Sequence, residues 1–277
     1  CEWREDDRSA IPGVMPPQEM PSLTRRDYVH NANNSYWLSN PEAPLEGYSP
    51  IIGAERSAVS LRTRAGLSFI REALDSDTEM QPEDLQEMLF SHRNFGAELL
   101  LDDLLMLCEA VDGPVDSGEG ETVDVAPACQ VLADWDRQMT PDSRGGHVWR
   151  EFMRSARSIE GLYRVPFDAG EPVRTPRGLN TGDDEVRSRI LASLGQAVQR
   201  LRQHDIALDA RLGDIQYTLD EDERIAVPGG EGWAGMWSVI IAGLQEEAGY
   251  TPILHGNSYI QVVGWDEDGQ VDPRAIL

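Results

Sequence analysis

Asn31, Asn33, Asn34 and Asn40 fall within ten residues, with Tyr36, Trp37 and Leu38 among them. Asparagine is a weak former of both helix and strand, so residues 29–41 are expected to run as irregular backbone. The aromatic and aliphatic neighbours tie that backbone to a core, yet core packing alone does not call for so many amides. A side-chain amide can hold irregular backbone through Asx-type bonds. It can also present N–H groups to a developing oxyanion. This stretch is expected to do both.

The charge pattern narrows what the chain can bind. Among 277 residues there are 49 acidic and 24 basic side chains, a net charge of −25, and every basic residue is Arg. Phosphate contact needs clustered positive charge, so nucleic acid is excluded as a partner. An acidic solvated surface is the plain reading, and adaptation to salt is the alternative. No run of apolar residues is long enough to span a membrane, and no signal peptide is visible. The opening Cys1-Glu2-Trp3, without an initiator Met, and the close at Ala275-Ile276-Leu277 read as a processed chain or a fragment. Cys108 and Cys129 lie on predicted helices either side of an acidic loop. They read equally as a disulfide, if the compartment is oxidising, or as two buried thiols.

Taken in order, residues 1–27 are proline-rich and expected to be extended, with a short strand over 25–30 leading into the asparagines. Hydrophobic periodicity predicts helices over 60–74, 81–90, 94–111, 127–139, from about 142 to 159, and 183–203. Pro82 and the acids after it suit a helix start, and Asp142-Ser143-Arg144 is expected to cap the fifth helix. Residues 112–124 read as a mobile acidic loop, and 165–179 as loop. Residues 236–244 are strand or buried helix turn, and 258–265 is strand, closed by a turn at 266–269. The resulting fold class is α+β, with a helical block set between strands. Its division is 1–50 as the extended segment with the asparagines, 51–207 as the helical block, and 208–277 as a strand-rich return, all within one incomplete domain.

The run Asn31-Ala32-Asn33-Asn34-Ser35-Tyr36-Trp37-Leu38-Ser39-Asn40-Pro41, followed by Pro44-Leu45-Glu46-Gly47, resembles the penicillin acylase family of N-terminal-nucleophile hydrolases. More closely, it resembles the acyl-homoserine-lactone and aculeacin acylase branch. The resemblance continues through Leu61-Arg62-Thr63-Arg64, Asn94-Phe95-Gly96-Ala97-Glu98, Leu132-Ala133-Asp134-Trp135-Asp136, Asp142-Ser143-Arg144-Gly145, Leu212-Gly213-Asp214-Ile215-Gln216, Pro228-Gly229-Gly230 and Gly256-Asn257-Ser258-Tyr259. It implies an internal part of the large subunit, with an αββα core interrupted by a helical insertion. It also implies an amidohydrolase whose serine nucleophile uses its own α-amine as base. That serine lies outside this chain. The substrates implied are acylated small molecules such as N-acyl-homoserine lactones, lipopeptides or penicillins, with no cofactor. The partners implied are the small subunit and the rest of the large subunit, in a periplasmic or secreted setting. Alone, the chain is expected to be inactive.

By motif, the resemblance assigns Asn33 to the oxyanion hole and Arg62 to positioning it, with Arg56 and Arg64 as competitors. Asn31 and Asn34 are expected to shape the loop. Cys1 as a nucleophile is the competing reading; the family's Cys-x-Trp stretch lies mid-subunit and argues against it. His30, His92, His147, His204 and His255 lack metal-ligand spacing. Asp116, Glu119 and Glu121 do not match an EF-hand, and Asp214 is expected to fix a turn. A non-catalytic interaction module of the same ancestry is the alternative function.

Overall fold

The computed structural model describes residues 5–76, 80–118, 120–221, 223–246 and 248–276. The Cys1 reading, and Glu119 of the acidic loop, lie outside them. Helices dominate the first two thirds: α1 (Leu61–Leu74), α2 (Pro82–Phe90), α3 (Phe95–Ala110), α4 (Ala126–Ala133), α5 (Gly146–Ala156) and α6 (Asp184–Gln203). A single turn, α7 (Leu212–Ile215), follows. Among the described residues the strands form five antiparallel pairs: β1 (Val115–Asp116) with β2 (Thr122–Val123), β3 (Tyr163–Val165) with β4 (Arg177–Leu179), β5 (Tyr217–Asp220) with β6 (Glu223–Ala226), β7 (Ile241–Gln245) with β8 (Gly249–His255), and β9 (Ile260–Trp265) with β10 (Val271–Ile276). The class is α+β.

Caps explain where the helices begin. Ser60 accepts the Thr63 N–H at the head of α1, Asn94 accepts the Ala97 N–H at α3, and Asp183 accepts two N–H groups at α6. The core gathers Leu100, Leu101 and Leu104 of α3, Trp149 and Phe152 of α5, and Ile190, Leu194 and Leu201 of α6. A smaller cluster packs Trp37 and Leu38 against Leu67 of α1. That plug seats the asparagine stretch on the helical block.

Several expectations are corrected. No strand forms over residues 25–30; a backbone bond from His30 N–H to the Ser39 carbonyl, 2.8 Å, ties that segment across the asparagines. Within the expected acidic loop, residues 115–116 and 122–123 pair as β1 and β2 rather than staying bare, held where Gln196 of α6 donates to the Ser117 carbonyl. Residues 165–179 likewise carry a strand, β4, that pairs with β3. The fourth helix stops at Ala133, since the Trp135 indole turns back to the Gln138 carbonyl and Arg137 takes a left-handed φ of 58°. The fifth helix is headed by Gly145 at φ 100°, not by Asp142 or Ser143, because the Ser143 hydroxyl is spent on Asp136.

Cys108 and Cys129 are joined by a disulfide that links the end of α3 to α4 across the β1–β2 hairpin, 21 residues apart in sequence. Closing a loop of this size restricts the unfolded chain by about 3 kcal/mol. Replacing both cysteines by serine should therefore lower the unfolding free energy by about that amount, measured by urea titration with and without reductant. Equal midpoints for the two proteins under oxidising conditions would show that the bridge contributes nothing.

Candidate functional site

The asparagine stretch folds as a tight loop whose neck is the His30–Ser39 backbone bond. Asn31 Oδ1 accepts the Asn33 N–H at 2.9 Å, and Asn31 Nδ2 donates to the Asn34 carbonyl at 3.3 Å. This local pair forces the backbone over, and Asn33 sits at φ 64°. Asparagine tolerates that left-handed conformation better than most side chains. Asn34 points the other way, toward the head of α1. Its Oδ1 accepts the Ser60 N–H at 3.1 Å, the Ser60 hydroxyl at 2.8 Å, and the Thr63 hydroxyl. The loop is thus bolted to the first turn of the helix that carries Arg62.

Arg62 meets three carbonyl oxygens. Nη1 donates to Asn33 Oδ1 at 2.5 Å and to the Ala32 carbonyl at 3.2 Å; Nε donates to the Trp237 carbonyl at 3.2 Å. A planar guanidinium suits such divided contacts where an ammonium does not. Burial lowers the Arg62 pKa from its usual value, and among the described residues no carboxylate pairs with it. Its charge is therefore solvated by dipoles and left uncompensated. The competitors lie elsewhere: Arg56 pairs with Glu46 at 3.3 Å, and Arg64 is buried with Nε on the Val173 carbonyl at 2.8 Å.

The contact with Arg62 fixes which way the Asn33 amide faces. Its oxygen must turn to the guanidinium, so its NH₂ turns outward, and Asn33 is exposed. Among the described residues that NH₂ makes no hydrogen bond. Donation from a cation into the amide oxygen also polarises the N–H, which strengthens it as a donor. The arrangement is a preoriented neutral donor backed by an uncompensated positive charge, suited to meeting a developing negative oxygen.

Trp237 is a neighbour of Arg62 that residue types do not reveal, because it contributes a backbone carbonyl. It is delivered by the turn at Gly232–Ala234, which is pinned by α3 and α5. Phe95 N–H donates to the Gly235 carbonyl at 3.1 Å, and the Trp149 indole donates to the Ala234 carbonyl at 3.0 Å. A Cβ on Gly96 would lie 2.4 Å from the Ala234 oxygen, so glycine is required for that approach. Asp214 is exposed within α7, near Arg211 at 3.9 Å, and away from this site.

The α+β fold is compatible with what the chain is similar to. The family model described as penicillin amidase matches residues 1–277, and the chain belongs to that family. It is 35% identical to an aculeacin-A acylase of Actinoplanes utahensis over 269 residues, covering 95% of this chain and 33% of that protein. It is 31% identical to an acyl-homoserine lactone acylase PvdQ of Pseudomonas syringae pv. syringae over 272 residues, covering 97% of this chain and 34% of the relative. A PvdQ acylase of Pseudomonas fluorescens is 31% identical over 277 residues, with 100% and 34% covered. The chain thus spans about a third of the length of the curated relatives it matches.

Asn34→Ala leaves the Ser60 N–H and two hydroxyls without their shared acceptor. Because the site is only partly buried, water recovers some of the loss, and the expected destabilisation is about 1–2 kcal/mol. A lower urea midpoint at unchanged m-value checks this; an unchanged midpoint would show that the bolt carries no weight.

Proposed function

We propose that this chain is an internal part of the large subunit of an N-terminal-nucleophile amidohydrolase. The enzyme cleaves an acyl amide through an acyl-enzyme intermediate. Asn33 donates its side-chain N–H to the tetrahedral oxyanion. Arg62 orients that amide and adds positive charge behind it, while Asn31 and Asn34 shape the loop. The serine nucleophile and its α-amine, which titrates near about 8 in water, come from outside these residues. The observation that carries the reading is the single contact from Arg62 to Asn33 Oδ1, which leaves the NH₂ outward and polarised.

Acylated small molecules are the substrate class, because the relatives are named as acylases of aculeacin-A and of acyl-homoserine lactones. A lipopeptide, an N-acyl-homoserine lactone and a penicillin share the amide that this chemistry attacks. The partners are the small subunit and the remainder of the large one. Support comes from the short strand pairs at the end of the chain, which leave large apolar side chains exposed: Leu254 at 69%, Tyr259 at 54%, Trp265 at 68% and Val271 at 58%. Such uncovered apolar faces suit further chain packed against them, as an αββα core with a helical insertion requires. The division into residues 1–50, 51–207 and 208–277 belongs to the same reading. The disulfide favours a periplasmic or secreted setting. Among the described residues no helix is long and apolar enough to cross a membrane.

The test is turnover of the complete enzyme carrying this chain. Asn33→Ala should lower kcat by about 10²–10³. Alanine at a left-handed φ also strains the backbone, so Asn33→Gly is the cleaner variant, keeping the conformation while deleting the donor. Both should lose similar turnover, and unchanged turnover in Asn33→Gly would reject the assignment.

A further inference from the structure

His30 stands at the neck of the asparagine loop, and its ring is used by nothing described so far. Both ring nitrogens are sealed from solvent, and neither has a hydrogen-bond partner among the described residues. The ring lies over Gly66 of α1, where a Cβ would come within 2.2 Å of His30 Nε2 and 2.9 Å of Trp237 Nε1. The His30 and Trp237 rings are 6.4 Å apart between centroids, tilted by 38°. Gly66 is one helical turn beyond Arg62, on the same face, and Trp237 supplies a carbonyl that Arg62 holds. The imidazole is therefore wedged against both supports of the Arg62 grip: the helix that carries it and the residue that receives it. Its own backbone closes the loop that presents Asn33.

An apolar ring would fill this space without burying unpartnered nitrogens, so packing alone does not account for a histidine here. What an imidazole adds is a charge that can be switched on. The charged group that faces it is Arg62, from α1; Gly66 and Trp237 bring none, and residues 31–39 of the loop carry no ionised side chain at neutral pH. We propose that His30 is a positioning residue that keeps Asn33 and Arg62 in register only while its imidazole is neutral. A proton on the ring would place a second cation beside Arg62 in a space where, among the described residues, no carboxylate receives it, and the wedge would be pushed off Gly66. Burial first, and Arg62 second, hold the His30 pKa below the ordinary histidine value. The neutral form therefore prevails at neutral pH, and register is lost on the acid side. This inference rests on the reading of Asn33 as the oxyanion donor.

The experiment is kcat against pH for the complete enzyme, with a fatty-acyl p-nitroanilide at saturation, from about pH 8 down to about pH 4. Where both the nucleophile's amine and His30 must be unprotonated, the wild type should fall by about a hundredfold per pH unit at the acid end. His30→Phe should keep neutral-pH kcat within about threefold and fall by only about tenfold per unit. His30→Gln, uncharged and polar, should share that shallower slope and serves if the Phe variant does not fold. A wild-type slope of about tenfold per unit throughout, or equal slopes in wild type and variants, overturns the inference. Asn33→Gly should lose turnover equally at every pH. If it does while the slopes coincide, the role of His30 alone is rejected; if Asn33→Gly retains full turnover, the oxyanion reading itself fails.

Discussion

Arg150 is the tie on which the rest of the molecule depends. It lies on α5 at 1% exposure, paired with Glu231 at 4%, and donates to Gln216 Oε1 and the Ala242 carbonyl. Its guanidinium lies 3.9 Å from the Tyr250 ring centroid, and the Tyr250 hydroxyl donates to Glu151 at 2.8 Å. One helix of the core thereby grips β7, β8 and the segments before them. Burying such charges is costly, and burial does raise the Glu231 pKa even beside its partner. Removing either partner would strand the other in a dry interior, which typically costs about 3–5 kcal/mol. The pair is better understood as fixing a relative placement than as a source of stability.

That placement reaches the site. Glu231 heads the turn at Gly232–Ala234, and the same turn leads to Trp237, whose carbonyl receives Arg62. From the other side, α1 presents Arg62, while Ser60 and Thr63 hold Asn34 and so the loop. The Asn33 amide is set by contacts from two distant parts of the chain, 29 residues away at Arg62 and through it 175 residues further on at Trp237. An amide held this way is fixed in direction before any charge meets it, which is the condition under which preorganised electrostatics gains over water.

Side-chain chemistry was legible in the sequence where it was local. The asparagine cluster announced irregular backbone, and the six longer helices followed from apolar periodicity, with ends within a few residues for α1, α2, α3 and α6. Arg62 was reachable through a motif, though nothing in its own neighbourhood separated it from Arg56 or Arg64. The pairing of Arg62 with the Trp237 carbonyl was not legible, because a backbone acceptor leaves no residue-type signal. The β5–β6 hairpin was missed because Leu219 and Ile225 are both exposed, so its alternation carries no core face. The β1–β2 hairpin hid in acidic, glycine-rich sequence; it is ordered by tertiary contact with α6, which composition does not encode. His30 read as a scattered histidine because its burial depends on Gly66, the residue that makes room for it.

The charge distribution reconciles an acidic molecule with a locally positive site. A net charge of −25 would set a negative potential there if all charges counted equally. They do not: exposed carboxylates are screened over about 8 Å at physiological ionic strength, while partly buried charges are screened far less. Arg62 and Arg64 are drawn inside and bonded to carbonyls, and Arg150 to carbonyls and one carboxylate, whereas many acids stand at the surface. The exclusive use of arginine fits this role, since a planar fork can divide itself among several oxygens and keep its proton despite burial. Arg64 shows the limit: burial lowers its pKa to about 10, still well above any physiological pH. A lysine in the same place would start lower and be driven toward neutrality by the same desolvation. Local positive potential at Asn33 thus depends on the depth and shape of a few arginines, not on the sign of the whole molecule.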